Sequence, residues 1–112
     1  MVCYTISIMA TLVLHQKLID KHGGIEERVI WLVPKAKKHP EGIRYHLAYI
    51  PRGSKKPSVL FDNHYPKGHH KHIGDHEMPY SFVSPEKLLE DFNRAVKEVA
   101  IYEDPGNPNK KP

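Results

Sequence analysis

Cysteine is almost absent from this 112-residue chain, with Cys3 alone near the start. No disulfide can close within one copy, which removes the stapled secreted scaffolds and fits a reducing, cytoplasmic setting. Long apolar runs are also missing. The uncharged opening, Met1 to Leu14, stops at His15 and Lys17, far short of a membrane span, and no basic segment precedes it. It therefore reads as neither signal peptide nor anchor, and no membrane partner is expected. The chain has no glycine-rich phosphate loop, no serine nucleophile elbow, no Cys-x-x-Cys pair and no internal repeat. Any chemistry must come from other residues.

What is present is ordinary for a soluble protein: 39% hydrophobic and 27% charged residues, at a length that sets one domain. Met9 precedes Ala10-Thr-Leu-Val-Leu, a strand-like start, so residues 1–9 read as a flexible or mis-assigned leader. Residues 10–102 read as the single domain, and 103–112, rich in Pro, Asn and Lys, as a disordered tail. The net charge of +4 conceals a polarity. From Lys35 to Lys71 nine Lys/Arg face two acids, Glu41 and Asp62, whereas from Asp75 to Asp104 three bases face eight acids. A basic middle favours a polyanionic partner, RNA among them; the alternative is a solvated lysine surface.

Four strands are predicted. Thr11–Ile19 is followed by the turn-forming Asp20-Lys-His-Gly-Gly24. Glu27–Val33 is apolar on both faces, as in a central strand. In Arg44–Ile50, Tyr45, Leu47 and Tyr49 alternate with Arg44, His46 and Ala48, and Ser58–Asn63 is a short fourth strand. Short turns between them predict an antiparallel meander. A helix then opens at Ser84, an N-cap residue, followed by Pro85, with Val83 and Leu88 placed to close a hydrophobic staple. Leu88, Leu89, Phe92, Ala95, Val96, Val99 and Ala100 form one apolar stripe. The expected fold is α+β: a four-stranded antiparallel sheet with the C-terminal helix on one face. One helix leaves the other face bare, so a homodimer is a further expectation.

Chemistry concentrates in one place. Five of the nine histidines, His64, His69, His70, His72 and His76, fall within 13 residues, together with Lys67 and Lys71. Histidine titrates near neutrality, so such a run can move protons, bind metal or attract phosphate. If residues 68–73 are extended, His70 and His72 share a face and His69 and Lys71 point the other way. A histidine pair with a lysine suits metal-free RNA cleavage: one imidazole removes the 2′-hydroxyl proton, the other protonates the leaving oxygen, and a cation stabilises the phosphorane. Asp62, Asn63, Glu77 and Tyr80 are polar neighbours that could orient an imidazole or position a phosphate, with Arg44 and Arg52 as more distant phosphate contacts. The same run also suits zinc or nickel, with His69, His70, His72 and His76 as ligands and Asp62, Asp75 or Glu77 completing a shell. A third reading is a hydrophilic loop without a role. Trp31, Tyr45 and Tyr49 could stack bases, although alternation in a sheet favours core packing, and His15 and His46 read as sheet-surface residues.

Phe61-Asp62-Asn63, Lys67-Gly-His-His-Lys-His72, Pro79-Tyr-Ser-Phe-Val-Ser84 and Leu89-Glu-Asp-Phe92 together resemble the TumE family of toxin–antitoxin toxins. Members carry a Tyr/Phe-Asp-Asn segment, a Lys-Gly-Asp-His-x-His motif, Tyr-x-Phe and a closing helix. The resemblance spans about Ala10 to Ala100. It implies a cytoplasmic toxin neutralised by a cognate helix-turn-helix antitoxin. By position the motif's histidines are His70 and His72, its lysine is Lys67 and its acidic strand-end residue is Asp62. His69 stands where the motif has aspartate, so that residue's role is lost, shifted or taken by His69. The combined expectation is a toxin that acts as a metal-independent ribonuclease without a cofactor. His70 and His72 would be the acid/base pair, with Lys67 and Lys71 on phosphate and Asp62 and Glu77 orienting. The alternative is a non-catalytic module that binds metal, nucleic acid or protein.

Overall fold

The structure is a computed structural model that describes residues 10–103, with side chains described through Ala100. The expected leader (1–9) and nearly all of the expected tail (103–112) lie outside the described residues. Six strands follow in order: β1 (Thr11–Ile19), β2 (Ile25–Leu32), β3 (Ile43–Ile50), β4 (Val59–Asp62), β5 (His70–Ile73) and β6 (His76–Pro79), then helix α1 (Pro85–Glu103). Each strand pairs antiparallel with the next, so spatial order equals chain order. The α+β class and meander hold. The count of four strands is corrected to six.

The two added strands come from the histidine run. Their sequence is polar on both faces and carries no apolar alternation, so local pattern gives no strand signal. They form because β4 offers an unpaired edge: Asp62 pairs with His70, Phe61 with Lys71, Leu60 with His72 and Val59 with Ile73. The short Gly74-Asp75 turn then returns β6 against β5.

The core lies between one sheet face and α1. Ile30, Ile43, Tyr45, Leu47, Tyr49, Val59 and Phe61 meet Leu88, Phe92 and Val96, the last three spaced by four on one helical stripe. Burying each large side chain contributes roughly 1.5–3 kcal/mol. Phe92 meets the Phe61 ring edge-on at 5.8 Å. Arg28 closes one end of this layer, its guanidinium 5.1 Å above Phe92 and donating to Glu26 at 2.8 Å and Asn93 at 2.6 Å.

Ser84 caps the helix as expected, its Oγ accepting from the Lys87 N–H at 3.1 Å. The staple is not closed: Leu88 is fully buried but Val83 is 73% exposed. In β1 a register shift between Leu12 and Leu14 sets Leu12 opposite Trp31 and Leu14 opposite Ile30. Leu12 is thereby turned to the face away from the helix, and only Leu14 of that strand packs against the core. The sheet face opposite α1 stays uncovered among the described residues, and that is where the site lies.

Candidate functional site on the open sheet face

Alternation and register decide which side chains meet. In β3, Tyr45, Leu47 and Tyr49 turn inward, so Arg44 and His46 face out. His46 lies opposite Asp62, Asp62 opposite His70, and His72 opposite Glu77. Partners in an antiparallel ladder share a face, so β3 to β6 present His46, Asp62, His70, His72 and Glu77 as a single arc. His64 and Lys67 reach it from the β4–β5 connection.

At one end of the arc, Asp62 accepts from His46 Nδ1 at 3.3 Å, His64 Nδ1 at 3.2 Å and the His64 backbone N–H at 2.6 Å. Burial alone would raise this carboxyl, but those hydrogen bonds outweigh it and hold Asp62 well below the usual carboxylate range. The same contact raises His46 against a smaller opposing effect of burial. At the other end, Glu77 accepts from Lys67 Nζ at 2.7 Å and lies 3.4 Å from His72 Nε2 and 3.9 Å from His70 Nε2. The hydrogen bond from Lys67 is the main cause of the lowered Glu77 carboxyl.

His70 is the pivot. Its ring meets His64 edge-on at 5.6 Å and His72 at 5.2 Å. Its Nδ1 lies 2.8 Å from the Gly68 carbonyl oxygen. A carbonyl only accepts, so Nδ1 carries the hydrogen, and in the neutral ring Nε2 keeps the lone pair that faces the arc. Gly68 has φ +73°, a left-handed conformation that suits glycine and aims this carbonyl.

The remaining expected site residues lie elsewhere. Lys71 is on the helix side, its ammonium 5.8 Å above the Phe61 ring. Asn63 is 2% exposed, and its amide is spent on β3, accepting from the Tyr45 N–H and donating to the Ile43 carbonyl, each at 2.9 Å. Tyr80 donates to Asp91 of α1 at 2.7 Å. Arg52 sits in the β3–β4 turn at the far end of the sheet, packed on the β1–β2 turn at Gly23. His69 lies on the core side, stacked on Phe82 at 4.9 Å, with Tyr45 Oη 2.8 Å from Nδ1 and Glu41 3.0 Å from Nε2. His76 is exposed on the helix side of β6. Of the four histidines first considered as metal ligands, only His70 and His72 come together.

Two members of the arc have no site role in the sequence reading: His46, which reads as a sheet-surface residue, and His64, which is counted only within the histidine run. The inward alternation of Tyr45, Leu47 and Tyr49 puts His46 outward. Its meeting with Asp62 depends on register, which no local signal reports. Next to this end of the arc lies a pocket of ≈ 330 Å³ lined by Val29, Trp31, Arg44, Tyr45, His46, Asp62 and His64. Tyr45 and Tyr49 are core residues, whereas Trp31 is half-buried on the open face. The basic middle of the chain is divided. Lys38, Arg44 and Lys67 lie toward the arc's end of the sheet, while Arg52, Lys55 and Lys56 lie at the opposite end, where Lys56 is 3.6 Å from Asp75.

The family model described as Toxin TumE matches residues 8–100. The chain belongs to the TumE toxin family. That stretch takes in all six strands and most of α1, so the arc lies wholly inside the TumE region. Membership makes the protein a toxin of a toxin–antitoxin system and implies an antitoxin partner. No curated protein and no solved structure matches the chain. Among the described residues no helix is long and apolar enough to cross a membrane.

Proposed function

We propose that this TumE toxin cleaves RNA on the open sheet face, with His70 and His72 as the acid/base pair. The observation that supports this is the arrangement of His70: the Gly68 carbonyl holds its ring and fixes its proton on Nδ1, and Nε2 faces His72 and Lys67 across Glu77. His70 Nε2 takes the proton of a ribose 2′-hydroxyl as that oxygen attacks the adjacent phosphorus. His72, in its protonated form, gives a proton to the departing 5′-oxygen. Glu77, whose Oε2 lies 3.4 Å from Nε2 of that ring, pairs with it in its charged form and so orients it. Lys67, half-exposed, leaves Glu77 to meet the charge that builds on the phosphorane oxygens. The O2′–P bond forms and the P–O5′ bond breaks, leaving a 2′,3′-cyclic phosphate and a 5′-hydroxyl. The reaction needs no cofactor.

The pocket beside the arc has room for one base, with Trp31 as a stacking surface and Arg44 for the phosphate or base edge. Asp62 holds His46 and His64 at the pocket's rim. The neutralising partner is a helix-turn-helix antitoxin, and a homodimer consistent with this reading leaves the β3–β6 part of the open face free for RNA.

Replacing His70 and His72 together by alanine abolishes growth arrest and RNA cleavage, each group accounting for about 10²–10⁴-fold. Sequencing of RNA ends detects the cleavage, and circular dichroism checks the fold. Undiminished toxicity in the folded double variant rejects the assignment. RNA binding without cleavage by the unaltered protein favours a non-catalytic binding module.

A further inference from the structure

The β5–β6 hairpin has the form of a small chelate. His70 and His72, two residues apart on β5, project to one face, and Glu77 stands directly across the ladder from His72. The potential ligand atoms of these three residues all lie within 4.8 Å of one another. Glu77 Oε2 is 3.4 Å from His72 Nε2 and 3.9 Å from His70 Nε2. In a tetrahedral zinc site with bonds of about 2.0–2.2 Å, neighbouring ligand atoms are about 3.3–3.5 Å apart. Small side-chain shifts therefore close the site. The Nδ1–H of His70 is held by the Gly68 carbonyl, the outer contact that orients metal-binding imidazoles and leaves Nε2 free to ligate.

We propose that His70, His72 and Glu77 bind one divalent transition-metal ion of the zinc class, with its remaining coordination open to solvent. Two imidazoles and a carboxylate favour such an ion over magnesium or calcium, which take oxygen donors. A second triad, Asp62, His64 and His70, draws on the same His70, so the two compete for it. Asp62 is the poorer ligand because its oxygens already accept from His46 and His64. Glu77 has Lys67 on the same oxygen, and that half-exposed ammonium can be displaced into water.

The consequence rests on the RNA-cleavage reading. A metal ion takes the Nε2 lone pair with which His70 accepts a proton and displaces the proton that His72 has to give, so the metal-loaded toxin is silent and the metal-free toxin is active. Isothermal titration of tag-free, full-length protein with zinc alone tests the site. One ion per chain is expected, with His72→Ala and Glu77→Gln each weakening binding by at least about tenfold. Those two side chains are partly exposed, so the variants keep the core. An Asp62→Asn/His64→Ala variant is expected to retain binding. Absence of saturable binding, or its loss in the Asp62/His64 variant but not in Glu77→Gln, overturns the site. Zinc binding by a protein that cleaves no RNA even when metal-free keeps the site and removes the ribonuclease reading. Cleavage undiminished at saturating zinc overturns the silencing.

Discussion

Asp62→Asn offers a test of the arc's electrostatics that needs no substrate. Asparagine preserves shape and can still accept from the His64 backbone N–H, but it removes the charge facing His46 and His64. The carboxylate is 15% exposed, while the two rings are 47% and 59% exposed, so each ion pair is solvent-screened. Each such pair is worth about 0.2–1 kcal/mol, and the pair together about 1 kcal/mol. The sign follows from the shifts. Asp62 is held below its ordinary 3.8, so its contribution is present above that pH and is lost as pH falls through the lower folded value. His46 is raised above 6.5, so its contribution is complete below that pH and is lost as pH rises through the higher folded value. The stability gap between wild type and Asp62→Asn is therefore widest between about pH 4 and 6.5 and narrows on both sides. For a domain of this size, 1 kcal/mol corresponds to about 4–8 °C in Tm. Urea unfolding of both proteins at pH 3, 5.5 and 9, in buffer with a chelator, gives the comparison. His46→Ala should flatten the alkaline limb and also shrink the acid limb, because its hydrogen bond is the first cause that lowers Asp62. An equal gap at all three pH values would refute the reasoning.

Two further substitutions separate structural from functional roles. Asn63→Ala strands the Tyr45 N–H and Ile43 carbonyl in a buried position, costing about 2–6 kcal/mol, since each unmet group costs about 1–3 kcal/mol. Equilibrium denaturation measures it, and a stable protein with weakened RNA binding would instead make Asn63 a ligand contact. Trp31 is the chain's single tryptophan, so its fluorescence reports the pocket directly. RNA is expected to quench it, and Trp31→Ala to weaken RNA affinity by about 1–3 kcal/mol, the range for one stacked base. Unchanged fluorescence at saturating RNA would remove the stacking role.

Local pattern carried much of the architecture. The inward set of β3, the Asp20–Gly24 turn and the Ser84-Pro85 helix start are short-range features, because capping, turn conformation and alternation involve neighbours within a few residues. The likeness of the motifs to TumE toxins was legible for the same reason: those motifs are contiguous. The His70/His72 pairing on one face needed only the extended backbone of β5.

Other features had no local signal. Strands β5 and β6 exist because β4 has an edge to pair with, so polar residues became strand without any apolar alternation. Register then sorted five neighbouring histidines by face and position: His70 and His72 joined the arc, His64 turned to Asp62, His69 became a stacked core-side residue, and His76 remained at the edge. It also brought in His46, 18 residues before His64. Composition and spacing determined that this protein is a small α+β domain with a histidine-rich segment. Pairing between distant strands decided which of those histidines meet, because a one-residue change of register moves every side chain to the opposite face.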